Sequence, residues 1–148
     1  MKIHGFTLIE LMVALVVLLL LSTIAYANLG SFVIKSRRIE AQVALLELMQ
    51  EQERHFSRHR SYVAFAAGAA DPDAQRFKWF SGDAPGASAY ELRGQACPGA
   101  EITHCIELLA IPGTTRVNAS FADIECGTLS LDSTGRHGAS GVGTKCWP

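Results

Sequence analysis

From Phe6 to Ala27 the chain is apolar almost without interruption, and a single acid, Glu10, stands near the start of that run. This length predicts a hydrophobic helix of about the ~20 residues needed to cross a bilayer. Beyond Gly30 the pattern turns amphipathic. Ile39, Val43, Leu46, Met49 and Phe56 fall near helical spacing on one stripe, widened by Leu45 and Leu48. Arg37, Arg38, Glu40, Glu47, Glu51 and Glu53 supply the opposite face. The first proline is Pro72, so nothing interrupts one rod from Phe6 to about Arg60, on the order of 80 Å at ~1.5 Å per residue. Residues 61–86 are rich in Ala, Gly, Asp and Pro and read as a connecting loop, stapled to the core by Phe77, Trp79 and Phe80. Three short alternating runs follow: Tyr90 and Leu92 between Glu91 and Arg93; Ile106, Leu108 and Ala110; Leu129 and Leu131 between Thr128 and Ser130. Each run can hide one face, and antiparallel pairing over the amphipathic half of the helix is the economical solution. The expected fold class is therefore α+β, a long N-terminal helix packed on a small antiparallel sheet.

With 148 residues there is room for one domain and an anchor. The expected division is a membrane or packing helix over 6–29, the amphipathic half of the same helix over 30–60, the loop over 61–86, and the sheet with its C-terminal loop over 87–148. Thirteen Lys and Arg against fourteen Asp and Glu leave a net charge of −1, which excludes bulk electrostatic capture of nucleic acid and demands a local patch instead. Cys97, Cys105, Cys126 and Cys146 all follow the apolar segment, and an even set in an exported domain points to two disulfides made in an oxidising compartment. Lys35, Arg37 and Arg38 outnumber Lys2, against the positive-inside tendency. The cysteines and the leader described next outweigh it.

A carboxylate in hydrocarbon costs roughly 2.5–3.5 kcal/mol, so Glu10 reads as a functional residue waiting for a partner. Snorkelling to the headgroups is the bland alternative. Another reading makes Lys2 an n-region, Leu11–Leu21 an h-region and Ala25-Tyr26-Ala27 a secretory cleavage site. An acid directly before the apolar core argues against it, and the mass of the mature chain separates the two.

Met1-Lys2-Ile3-His4-Gly5 followed by Phe6-Thr7-Leu8-Ile9-Glu10-Leu11-Met12-Val13 resembles the class III leader and N-terminal helix of type IV prepilins. The resemblance implies removal of residues 1–5 by a membrane peptidase acting after Gly5, and N-methylation of Phe6. Gly5 presents the protease with bare backbone, and Glu10 lies one helical turn from Phe6 on the same face. The new amine of Phe6 is thus expected to be neutralised by Glu10 of a neighbouring subunit, setting axial register in a filament. The same leader occurs in major pilins, minor pilins and type II secretion pseudopilins. Many pilins carry Pro where this chain has Ala27, so only Asn28 and Gly30 weaken the rod here.

The C-terminal stretch Cys126-Gly127-Thr128-Leu129-Ser130-Leu131-Asp132-Ser133-Thr134-Gly135, closed by Cys146-Trp147-Pro148, resembles minor pilins of the kind called PilE. It implies a final strand and a disulfide-bounded loop. Local pairing of Cys97 with Cys105 and Cys126 with Cys146 is expected, since it suits a hairpin clip and a loop closure, each bridge worth roughly 2–4 kcal/mol. No Ser/His/Asp or paired-carboxylate arrangement can be singled out, so no catalysis is expected, nor any cofactor. The partners implied by the family are other pilin subunits, the prepilin peptidase, and the assembly platform with its ATPase. The chain is expected to sit in the inner membrane with a periplasmic C-terminal domain, then in an extracellular pilus serving adhesion, twitching motility or DNA uptake.

Several other constellations weaken on inspection. Gly138-Ala139-Ser140-Gly141-Val142-Gly143-Thr144-Lys145 approaches a phosphate-binding loop, but Thr and Lys are in the wrong order and no helix can follow, so the glycines read as turn formers. Glu51, His55 and His59 share a helical face without a fourth metal ligand. Asn118-Ala119-Ser120 is a short glycosylation sequon of the kind chance supplies. Arg76, Lys78 and Trp79, with Arg136 and Lys145, are candidate contacts for DNA, in which stacking and phosphate neutralisation combine. A DNA-receptor pilin is expected to gather these with Arg54, Arg58 and Arg60 on one face.

Overall fold

The computed structural model describes residues 7–148, with only the backbone described for 23–28. Gly5 and Phe6 therefore lie outside the described residues. The helix α1 runs Leu8–His59, followed by two 3₁₀ turns at Ala74–Arg76 and Pro85–Ala87. Among the described residues four strands follow: β1 Tyr90–Ala96, β2 Ile106–Pro112, β3 Leu129–Asp132 and β4 His137–Ala139. All neighbours are antiparallel in the order β1-β2-β3-β4.

The chain divides into two units, Met1–Lys35 and Ser36–Pro148. In the first, the large apolar side chains from Leu8 to Leu21 are 48–80% exposed. Thr7 opens the helix: its Oγ1 accepts from the Glu10 N–H at 3.4 Å, which puts an acid at the third helical position, where the helix dipole favours it. Thr-x-x-Glu is thus a capping signal embedded in the leader motif. Among the described residues no helix is long and apolar enough to cross a membrane.

In the second unit the Ser36–His59 part of α1 packs on one face of the sheet. Leu45, Leu92, Ile106, Leu108 and Leu129 are fully buried there, each contributing roughly 1.5–3 kcal/mol. The buried helical face differs from the expected stripe. Of that stripe Leu45 and Leu48 are buried and Met49 and Phe56 pack half-buried against the core, whereas Ile39, Val43 and Leu46 are 48–59% exposed; Ala41 and Ala44, with Arg38, Gln42 and Gln52, complete the buried face. Small alanines let the helix approach the sheet closely, and the polar residues beside them are tied into the fold. Gln42 Nε2 donates to the Cys146 carbonyl at 2.6 Å, and Gln52 exchanges two hydrogen bonds with the Val63 backbone. Glu91, expected on the solvent face of β1, is also buried, because Phe80 bridges to it and its carboxylate takes the Thr114 hydroxyl and Arg93.

Cys97 is bonded to Cys105 across the β1–β2 connection, and Cys126 to Cys146 around β3 and β4. Strand β4 was not legible as an alternating run, since His137-Gly138-Ala139 offers little to bury. It is held instead by the Trp147 indole, which donates to the Gly138 carbonyl at 2.8 Å and lies against His137. The glycines at 141 and 143 do not serve as left-handed turn formers. Their N–H groups donate to the Cys126 and Glu125 carbonyls, and a Cβ at Gly141 would come 2.3 Å from the Glu125 carbonyl oxygen, so close backbone approach is what excludes a side chain.

Helix α1 ends at Arg60, whose φ of 58° is left-handed. That conformation favours glycine. Arg60→Gly is accordingly expected to stabilise the fold by roughly 1 kcal/mol, read as a higher urea midpoint with an unchanged m-value.

Candidate nucleic-acid interface

The last turns of α1 place Glu51, Arg54, His55, Arg58 and His59 on one face, at spacings of three and four. The chain then reverses, and three side chains strap the reversal back onto the helix: Gln52 to Val63, Glu53 to the Tyr62 hydroxyl, and His55 Nδ1–H to the Ser61 carbonyl at 3.0 Å. Behind it Phe65 pairs with Gly94 of β1, where any Cβ would meet the Phe65 ring at 2.5 Å. Phe77 stacks on Phe65 at 5.3 Å and is itself buried. This fixes the 3₁₀ turn that carries Arg76 opposite the helix end. The result is an open cleft of about 240 Å³ lined by Arg54, Arg58, Arg76, the two imidazoles, Glu51 and Phe77.

Its cations are weakly committed within the chain. Arg54 lies 3.9 Å from Glu51 and Arg76 lies 3.6 Å from Asp73, both as exposed pairs. Such pairs contribute at most about 1 kcal/mol and are screened by salt, which leaves the guanidinium groups available to an incoming phosphate. His55 and His59 stack with ring centroids 4.1 Å apart. Among the described residues no group of three or more side chains has the placement to hold a metal ion.

The other candidate contacts scatter. Lys78 sits with its Nζ 5.0 Å from the Phe80 ring centroid, one residue pair beyond Arg76. Trp79 is half-buried, edge-on to Phe80, and its carbonyl accepts from Leu92, so it belongs largely to the fold. Arg136 lines a different cleft, between Cys97 and His137, and is held by Asp132 at 2.9 Å. Lys145 is exposed and lines neither cleft. The five candidates thus do not form one site; Arg76 instead joins Arg54 and Arg58.

A second ionic cluster, which sequence reasoning missed, holds the head together. Arg38, expected on the solvent face, is 5% exposed and donates to both carboxylate oxygens of Asp123 at 2.8 Å and to Glu125 at 2.9 Å. Asp123 also accepts the Tyr90 hydroxyl at 2.6 Å and the Cys126 N–H at 3.1 Å. Burial pushes the Asp123 carboxyl up, but Arg38, Tyr90 and the Cys126 amide outweigh it and hold it below its ordinary value. Asp132 is likewise held low, against burial, by Thr134 and Arg136. Burial, reinforced by Asp123, raises Tyr90 well above its ordinary value. Carboxyls depressed on folding contribute stability above their unfolded value of about 3.9, lost as pH falls further, and a raised tyrosine contributes below about 10 and loses it as pH rises. Urea midpoints are expected to be flat between these limits and to decline on both sides.

Residues 29–130 match the family described as "Type IV minor pilin ComP, DNA uptake sequence receptor". The chain belongs to this family of minor pilins. Residues 1–26 of the pilin match the prokaryotic N-terminal methylation motif. Among solved structures it resembles a type IV pilin from Shewanella oneidensis, at 28% identity over 78% of this chain and 98% of that one, with a TM-score of 0.49. It also resembles the non-core minor pilin PilV of Neisseria meningitidis, at 19% identity over 79% of this chain and 96% of that one, with a TM-score of 0.51, a likeness of fold alone. No curated protein matches it. Helix on antiparallel sheet with a disulfide in the C-terminal region is the type IV pilin fold, and such subunits assemble with other pilins. The matched family segment contains the whole Arg54, Arg58 and Arg76 cleft and stops before Arg136 and Lys145.

Proposed function

We propose that this minor pilin is a DNA receptor displayed on a type IV pilus, and that the cleft at the end of α1 supplies phosphate contacts. The observation that carries the reading is the clustering of three exposed arginines inside the segment matching the ComP family, in a chain whose overall charge is otherwise balanced. Arginine forks match phosphate geometry, and neutralising phosphates releases counterions, so affinity falls steeply with salt. The test is fluorescence anisotropy of a labelled duplex with the full pilin in detergent, over a range of salt concentrations. A steep linear fall of log affinity with log salt supports the reading; no retained duplex at low salt ends it.

In this proposal the subunit is structural and binding rather than catalytic. The prepilin peptidase cleaves after Gly5 and Phe6 is N-methylated, in keeping with the methylation motif. The apolar Leu8–Leu21 surface lies in the inner membrane before assembly and in the filament afterwards, with the disulfide-bonded head in the periplasm and then outside the cell. Assembly passes through the platform and its ATPase. Exposed Ile39, Val43 and Leu46 give neighbouring subunits a second apolar strip to cover. Gly5→Phe is expected to block maturation, seen as a retained leader by mass. Glu10→Ala is expected to be cleaved normally yet to enter sheared pili poorly; full occupancy of the Ala variant would contradict a register role for Glu10.

A further inference from the structure

Within the DNA-binding reading just given, we infer that the cleft at the end of α1 is a phosphate site whose occupation requires His59 to take up a proton. The hydrogen bonds decide the tautomers. His55 Nδ1 faces the Ser61 carbonyl at 3.0 Å and His59 Nδ1 faces the His55 carbonyl at 3.2 Å. A carbonyl only accepts, so both Nδ1 atoms carry hydrogen and each neutral ring has a bare lone pair at Nε2, which the exposed His59 alone can offer to the cleft. His55 Nε2 is closed to solvent and has no hydrogen-bond partner, an arrangement that costs roughly 1–3 kcal/mol.

A phosphate oxygen also only accepts. Entering beside the His59 lone pair, it meets repulsion from the neutral ring and attraction once Nε2 bears a proton. Charging that ring without an anion sets it against Arg54 and Arg58 on the same helix face and Arg76 across the cleft. Glu51 is the one carboxylate lining the cleft and Asp73 the one paired with Arg76. An anion in the cleft removes that opposition. Phosphate binding and proton uptake are therefore linked, and each must favour the other by the same factor. The arginines keep their charge throughout and cannot produce this pH response.

The experiment is duplex affinity at constant salt from pH 8 down to pH 5.5, for the full pilin in detergent and for His59→Gln, His55→Gln and Glu51→Gln. Gln keeps a neutral hydrogen-bonding group, and His59 is exposed, so folding of at least that variant is secure. Affinity is expected to rise as pH falls, by up to roughly tenfold per pH unit for one linked proton, in the parent and in Glu51→Gln, and to flatten in His59→Gln. A parent without pH response, or a response unchanged in His59→Gln, overturns the inference. If the parent retains no duplex at any pH, the DNA reading fails and inorganic phosphate becomes the probe, followed by NMR of the imidazole carbon-bound protons. Phosphate moving the imidazole titration toward higher pH keeps the site as an anion site, and no movement removes it.

Discussion

Asp123→Ala is expected to destabilise the head by roughly 3–5 kcal/mol, toward the lower end because Glu125 remains on Arg38 at 2.9 Å. The side chain of Asp123 is fully buried and that of Arg38 is 6% exposed, so removing the acid leaves a guanidinium charge and the Tyr90 hydroxyl without their main acceptor. A domain of this size has only about 5–15 kcal/mol of net stability, so the effect is a large fraction of the whole. Arg38→Met alone is expected to be similarly costly, whereas the double variant Arg38→Met with Asp123→Leu should recover much of the loss, since desolvation of both charges is then avoided. Urea unfolding of the parent, Arg38→Met, Asp123→Leu and the double variant forms the cycle. Additive losses would show that the two residues act separately.

Replacing Arg54, Arg58 and Arg76 together by Gln is expected to weaken duplex binding on the order of 10²–10³-fold at low salt, taking each charged contact as about 1–1.5 kcal/mol. The slope of log affinity against log salt should fall by about 0.9 for each phosphate that is no longer neutralised. Stability should scarcely change, because all three side chains are exposed and their ion pairs are long. Arg136→Gln is the comparison, because that residue lines another cleft and its charge is already met by Asp132. An equal loss from Arg136→Gln would move the interface to the β3–β4 side of the head.

Much of the architecture could be read from the chain. The apolar run, the absence of proline before Pro72 and the three alternating runs specify a helix and strands because their periods of 3.6 and 2 are local properties of the backbone. The helical face was misread for a reason visible at Ile39 and Arg38. Hydrophobicity alone places Ile39, Val43 and Leu46 with Leu45, Leu48, Met49 and Phe56, but those first three stay exposed, while the face that packs on the sheet is completed by Ala41, Ala44 and polar groups with distant partners. Asp123 lies 85 positions from Arg38 and Cys146 lies 104 from Gln42. No pattern in a one-dimensional window pairs them.

The same division holds at the interface. By itself the sequence determined the leader, the acid at position 10, the helix and the presence of basic side chains in an otherwise balanced chain, all features carried by residue type and near-neighbour spacing. Only the tertiary structure decided that Arg76 joins Arg54 and Arg58 while Arg136 goes elsewhere, and that His59 turns its Nε2 lone pair to the cleft while that of His55 is closed off. Those outcomes depend on where Phe77 is anchored against Phe65 and Gly94, and on which backbone carbonyls the chain reversal after Arg60 offers. Convergence of charges across a fold is fixed by packing, which is non-local, whereas charge itself is not.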